Sequence, residues 1–260
     1  LLKEAGKRGI PYIIHEQNAF PGITTKILSK KAKKVMLASN TASKYFDKCR
    51  NVVVTGNPLR GKMKDFTQHE AKKILGLDSR PTVLSFGGSL GARKINESVA
   101  ELIEWSVKNG KYNHLHAYGK YGTWFKDLLL KKGINPNGHG LYIQEYINDM
   151  PVRMAAADVV VCRAGAITLS EIEALGKPSI LIPSPNVAEN HQYHNAMELV
   201  NLNAADIIEE KDLTGGLLIN KVEMLMEDEN LRKEYTKNLK KLSVTDAGEK
   251  IYKVICDSVK

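Results

Sequence analysis

The sequence predicts a doubly wound α/β protein, and three observations carry the prediction. Nine short apolar runs rich in β-branched residues recur along the 260 residues. Longer amphipathic stretches separate them, and several runs end in glycine-rich turns. Short strands without polar alternation are buried on both faces, which calls for a parallel sheet covered by helices on each side. Ligands of such sheets collect at the carboxyl ends of the strands.

In chain order, strands are expected at 12–15, 34–38, 52–55, 82–86, 114–118, 141–144, 158–162, 179–182 and 205–207. Helices are expected at 93–108, 124–132, 166–175 and 190–202, with a helical approach over 61–80 and a charged, helical C-terminal part. Gly56 and Pro58, in the stretch Thr55-Gly56-Asn57-Pro58-Leu59-Arg60, break the local pattern. They divide residues 1–57 from residues 58–242, and a C-terminal helix is expected over 243–260, packing back on the first part. Three strands are too few for a doubly wound unit, so residues 1–57 read as the remainder of a larger, incomplete domain. The opening LLKEAGKRGIPYII already reads as a helix followed by a strand, as if the chain begins inside a fold, and it lacks the layout of a signal peptide.

Composition excludes several classes. With 43% hydrophobic and 26% charged residues, the chain has ordinary globular composition and not that of a disordered protein. No apolar run reaches the roughly 18 residues of a membrane span. Cys49, Cys162 and Cys256 are odd in number, far apart and without metal-ligand spacing, as expected of reduced thiols in a cytoplasmic protein. The net charge of +9 is localised: residues 1–60 hold 12 Lys or Arg against Glu4, Glu16 and Asp47, whereas the 26 basic and 26 acidic residues of 61–260 cancel. The first part should therefore face phosphate groups, an acidic membrane surface or nucleic acid.

Four segments carry candidate chemistry. In Leu84-Ser85-Phe86-Gly87-Gly88-Ser89-Leu90-Gly91-Ala92-Arg93 a strand runs through glycines into a helix placed to start at Ser89. Glycines let backbone amides approach a phosphate and a helix start adds partial positive charge, although a tight turn without a ligand has the same pattern. A nicotinamide-dinucleotide site also needs an acidic residue near the end of the next strand; His114-Leu115-His116-Ala117-Tyr118-Gly119 has none, which disfavours a dehydrogenase. In Asp158 to Glu171 a buried strand again meets a glycine turn and a helix. Glu171 is placed to accept from the hydroxyls of a ribose, or else to complement the helix dipole in solvent, with Glu173 facing elsewhere.

The segment 181–196 leads from a strand through prolines to His191 and Gln192 in the first turn of a helix, where neutral side chains suit sugar hydroxyls. His191 and His194 lack a third ligand nearby, so a metal site is not expected. Finally, His15-Glu16-Gln17-Asn18-Ala19-Phe20-Pro21-Gly22 packs polar groups onto the end of a strand, as a site or as an ordinary polar loop.

These segments resemble a known family. HEQNAFPG (15–22), GNPLR (56–60), FGGSLGARKIN (86–96), YINDM (146–150), ADVVVCRAGAITLSEI (157–172) and NHQYHNA (190–196) occur in the order found in MurG-type transferases. The resemblance covers essentially the whole chain. It implies a GT-B glycosyltransferase of two Rossmann-like domains, the N-terminal one incomplete. The implied reaction is an inverting transfer of N-acetylglucosamine from UDP-GlcNAc to undecaprenyl-diphospho-muramoyl-pentapeptide, with no metal or cofactor. It further implies that Glu171 holds the ribose, the Ile147 backbone reads the uracil, and Ser89, Gly87, Gly88, Gly91 and Arg60 hold the diphosphate. His191, Gln192 and Asn18 would contact the sugar. The family's glycine-rich first loop, which holds the acceptor diphosphate and the expected general base, and its later Gly-Gly-Tyr segment are absent here. No catalytic base is therefore assigned, His15 is not put in its place, and the chain alone is expected to be inactive.

The resemblance also gives the basic surplus a partner. Lys26, Lys30, Lys31, Lys33 and Lys34, beside Ile23, Ile27 and Leu28, would meet the anionic inner face of the bacterial membrane as a peripheral, cytoplasmic-side contact; a solvated lysine face is the alternative. Nucleic acid fits less well, because no aromatics are interleaved with the lysines. Two other readings keep the donor motifs: a related glycolipid transferase or epimerase, and a non-catalytic UDP-sugar-binding subunit of a split transferase.

Overall fold

The computed structural model describes residues 1–49, 51–59, 63 and 65–259. The chain builds two parallel sheets. The first has β1 (Ile13–Glu16), β2 (Lys34–Leu37) and β3 (Val52–Val54) in the order β1-β2-β3, with α1 (Leu2–Lys7) and α2 (Ile23–Ser29) beside them. Register pairs Ile13 with Lys34 and Val35 with Val52. Tyr12, Ile14, Val35, Leu37, Ala42 and Phe46 form its core.

The second sheet comprises β4 (Thr82–Phe86), β5 (Asn113–Ala117), β6 (Leu141–Gln144), β7 (Val159–Cys162), β8 (Ser179–Leu181) and β9 (Asp206–Ile207). Its order is β6-β5-β4-β7-β8-β9, all parallel. Counted from β4 this is 3-2-1-4-5-6, the Rossmann order, whose direction of winding reverses between β4 and β7. The covering helices are α3 (Gln68–Ile74), α4 (Arg93–Lys108), α5 (Phe125–Lys131), α6 (Met150–Ala156), α7 (Ala166–Leu175), α8 (His191–Val200), α9 (Gly215–Glu227) and α10 (Glu229–Leu242); α11 (Ala247–Val259) follows.

The apolar strands have two faces to cover, and both are covered. Leu84, Phe86, Leu115, Val160 and Cys162 join one apolar cluster with residues of α6, α7 and α8. Their neighbours Val83, Val159, Val161 and Ile180 join another with α4, α5 and α9. Successive strand residues point to opposite faces, so every residue of β4, β5 and β7 is buried. Local signals set the helix ends. Thr67 and Glu70 close a capping box on α3, Asp228 accepts from the Leu231 amide at the start of α10, and α7 stops at Gly176 with φ 63°.

All nine expected strands are present, most within a residue of the expected bounds. The helix start expected at Ser89 is corrected. Gly88 and Gly91 have φ of 93° and 84°, values outside the right-handed helical region, so α4 begins only at Arg93 and Ser89 lies in the preceding turn. The lysine segment lies on a helix and its exit, with Lys26 in α2 and Lys30, Lys31, Lys33 and Lys34 after it; Ile23 and Ile27 are exposed, while Leu28 packs on the core.

Candidate active site

At the reversal point between β4 and β7, the glycine loop forms one wall of a cavity of about 700 Å³. The loop is held by backbone bonds from beyond β5: the Lys120 amide donates to the Ser89 carbonyl and the Tyr121 amide to the Leu90 carbonyl, each at 3.0 Å. Gly91 is obligatory, since a Cβ there would lie 2.2 Å from the Tyr118 carbonyl oxygen. Gly87, Gly88, Ser89 and Gly91 thus share this cavity with Gln192. The Ser184 amide donates to Gln192 Oε1 at 2.9 Å, which leaves the Gln192 NH2 group as a donor toward a ligand.

Arg163, not singled out from the sequence, also lines this cavity. It leaves the end of β7, donates from Nη1 to the Ile182 and Pro183 carbonyls at 3.2 and 3.1 Å, and pairs with Glu210. The signal was its place directly after the strand at the reversal point; the eye is drawn instead to the glycine two residues on.

Asn18 and His191 line a second cavity of about 330 Å³, bounded by the loop after β1 and the entry to α8. His191 Nδ1 lies 2.9 Å from the Ala188 carbonyl. A carbonyl only accepts, so Nδ1 carries a proton and Nε2 is the ring nitrogen left for a ligand. Glu189 and Asn190 both adopt left-handed φ, 53° and 50°, a strained entry of the kind that clusters at ligand sites. His194 instead stacks on Phe20 at 4.6 Å, and His15 Nε2 lies 3.0 Å from the Gly56 carbonyl.

Glu171 and Ile147 line neither cavity. Glu171 is on α7, 2% exposed, near enough to Cys162 at the end of β7 that its charge, after burial, helps push that thiol up. Ile147 follows β6 with its side chain in the core, which fixes the loop carrying its peptide groups. Arg60 lies outside the described residues.

The two sheets meet through amides. Asn57, of GNPLR, donates from Nδ2 to the Gln17 carbonyl at 3.2 Å and to Ser170 Oγ of α7 at 3.1 Å. Asn195 of α8 accepts from the Ala19 amide at 2.9 Å. Glu198, also on α8, accepts from Ser39 Oγ and from Thr41 Oγ1, the latter at 2.7 Å. These contacts place the carboxyl ends of the first sheet against α7 and α8 of the second.

Two parallel-sheet α/β units facing each other across a cleft, with a glycine loop at the reversal point of one, define the GT-B fold. The profile of the glycosyltransferase family 28 C-terminal domain matches residues 82–251, and that of its N-terminal domain matches residues 2–37. The UDP-N-acetylglucosamine–N-acetylmuramyl-(pentapeptide) pyrophosphoryl-undecaprenol N-acetylglucosamine transferase of Acetivibrio thermocellus is 44% identical over all of this chain and 70% of its own length. A protein of that name from Bacillus cereus is 40% identical over 98% of this chain and 70% of its own. The crystal structure of Acinetobacter baumannii MurG superposes with a TM-score of 0.76 at 27% identity, covering 98% of this chain and 70% of that one. The chain belongs to glycosyltransferase family 28, in its MurG group. A UDP-GlcNAc 2-epimerase from Neisseria meningitidis, with a TM-score of 0.70 at 14% identity over 98% of this chain and 72% of its own, shares the fold alone.

Proposed function

We propose that this chain binds UDP-GlcNAc between its two sheets and belongs to an enzyme that transfers the sugar to a lipid-linked muramoyl-pentapeptide in peptidoglycan synthesis. The observation that carries the reading is the pairing of the two cavities with the 40–44% identity to transferases of that name. In this reading the backbone of the glycine loop, whose Gly91 amide is already bonded to the Gly88 carbonyl at 3.0 Å, together with Ser89 and Arg163 stabilises the departing diphosphate, which lowers the barrier because the charge develops as the sugar bond breaks. Glu171 and the Ile147 peptide hold the nucleoside, Arg60 adds to the diphosphate site, and Asn18, His191 and Gln192 hold the sugar. The acceptor hydroxyl attacks the anomeric carbon from the face opposite the diphosphate, inverting it.

Residues 1–57 form the acceptor and membrane side in this reading, residues 58–242 the donor side, and 243–260 the return helix. Among the described residues no helix is long and apolar enough to cross a membrane. The segment 26–34, with exposed Ile23 and Ile27 beside exposed Lys30, Lys31 and Lys33, suits peripheral attachment to an anionic leaflet.

Calorimetric titration tests the donor assignment. UDP-GlcNAc and UDP are expected to bind, and ADP and GDP to bind at least about tenfold more weakly, a gap of ~1.4 kcal/mol. Equal affinity for the three nucleoside diphosphates would remove the uridine assignment.

A further inference from the structure

Asn18 faces the cavity it shares with His191, but its own amide is held from behind. The Glu16 carboxylate, 4% exposed at the end of β1, accepts from the Asn18 backbone N–H and from Asn18 Nδ2, both at 3.1 Å, and from the Gly22 amide at 3.3 Å. On the other side Asn195, 3% exposed on α8, donates from Nδ2 to Asn18 Oδ1 at 3.0 Å and to the Ala164 carbonyl at 3.3 Å. Its Oδ1 accepts from the Ala19 amide at 2.9 Å.

The orientations of both amides follow from groups that have only one possible role. The Ala19 N–H can only donate, so Asn195 must turn its oxygen there and its NH2 toward Asn18. The Glu16 carboxylate can only accept, so Asn18 must turn its NH2 there and its oxygen toward Asn195. The two constraints start from different elements and agree. Together they occupy the Asn18 oxygen and one of its N–H bonds, leaving the second N–H for the cavity.

We infer that Asn195 is a positioning residue for the donor sugar: it fixes the Asn18 amide as a hydrogen-bond donor, and it does so only when the second unit is seated against the first. Asn195 lines neither candidate-site cavity, and its oxygen and both of its N–H bonds are committed to Ala19, Asn18 and Ala164. Because it also bonds the loop after β7 through Ala164, the orientation of Asn18 on one side of the cleft is tied to the side that holds the diphosphate. The inference rests on the reading of Asn18 as a sugar contact. It adds the residue that gives this contact its polarity, and it implies that the sugar atom opposite Asn18 is an acceptor.

Asn195→Asp tests it. The change replaces the NH2 group with an oxygen facing two other acceptors, Asn18 Oδ1 and the Ala164 carbonyl. Turning Asn18 around would relieve that contact only by aiming its oxygen at Glu16. Affinities for UDP-GlcNAc and UDP are measured for the wild type, Asn195→Asp, Asn18→Ala and the double variant. Each single variant is expected to weaken UDP-GlcNAc roughly 5–20-fold, the effect of one or two lost hydrogen bonds, with UDP unchanged and the double variant no weaker than Asn18→Ala. Full effect of Asn18→Ala beside a wild-type Asn195→Asp, or losses that multiply in the double variant, overturns the inference and leaves the Asn18 reading standing. Equal weakening of UDP and UDP-GlcNAc by Asn195→Asp assigns it a general structural role and also overturns it. An Asn18→Ala variant with unaltered UDP-GlcNAc affinity removes Asn18 from the sugar site and the inference with it. Should Asn195→Asp fail to fold, Asn195→Ala is judged by the same outcomes.

Discussion

Individual side chains differ in how far their role can be read from their sequence neighbours. The glycine loop declares itself, because three glycines between a buried strand and an amphipathic helix have few uses. Asn57 and Asn195 do not. Each is an ordinary amide in an ordinary motif until its partner arrives from far along the chain, 176 residues away for the bond between Ala19 and Asn195. Glu171 lies between these cases, legible as a carboxylate near a strand end but not as the 2% exposed residue it is. Under the proposed ribose contact, Glu171→Ala should weaken UDP-GlcNAc by roughly 10–100-fold, the loss expected for hydrogen bonds to a charged acceptor. Titration checks this, and unchanged affinity would take Glu171 out of the site.

At the level of strands, helices and turns, legibility follows burial. A strand covered on both faces must be apolar throughout, so β4 and β7 stand out, and their bounds were read to within a residue. For α4 the helical pattern gives 93–108, which the structure matches; the helix start placed at Ser89 fails because the left-handed φ of Gly88 and Gly91, with Gly91 packed on Tyr118 just beyond β5, keeps that stretch in a turn. Substitutions separate the two kinds of glycine. Gly91→Ala puts a methyl group against the Tyr118 carbonyl in a left-handed backbone, and should destabilise the fold by about 2–4 kcal/mol and weaken UDP binding. Gly165→Ala, at φ −71° with no atom within 4 Å of the added carbon, should stay within about 1 kcal/mol of wild type. Urea unfolding of the two variants checks the contrast.

The molecule as a whole should have a stability maximum near pH 6–6.5, set by buried groups that line neither candidate-site cavity. His114 and His116 are wholly buried on β5, and desolvation holds both down at about 3. Between that value and 6.5 the unfolded chain binds protons that the folded one refuses, so stability is lost as pH falls below 6.5. Glu173, partly buried beside a third cavity, which lies between the two sheets and is lined by Gln17, Asn57 and Ser170, is pushed up to about 8 by burial and then by the charge of Glu198. Here the folded state holds the proton, and stability is lost as pH rises from 4.5 toward 8. Between 4.5 and 6.5 two histidines outweigh one carboxyl; just above 6.5 the carboxyl dominates, until Lys177, held down to about 8 chiefly by burial, begins to shed its proton in the folded state and offsets it. Thermal melts across pH 5–8.5 check the maximum, and Glu173→Gln should raise Tm at pH 8 by about 3–6 °C. The proposed attachment to anionic vesicles should weaken as salt rises, since a lysine cluster acts through a screened field. Cosedimentation at rising salt checks this, with salt-insensitive binding counting against an electrostatic origin.

The return of α11 has one more implication. Lys33, on the first unit, donates to the Ser258 carbonyl near the end of α11. The polypeptide thus passes between the units twice, once near Gly56 and once near Val244. The two passages touch: a Cβ on Gly56 would come within 2.7 Å of Val244. Twin pins set side by side define a single axis, so any relative motion of the halves is expected to be a swing like a book about its spine, one that must break the bonds of Asn57, Asn195 and Glu198, rather than a slide or a twist. A bulky residue at position 56 would jam that spine without touching either cavity.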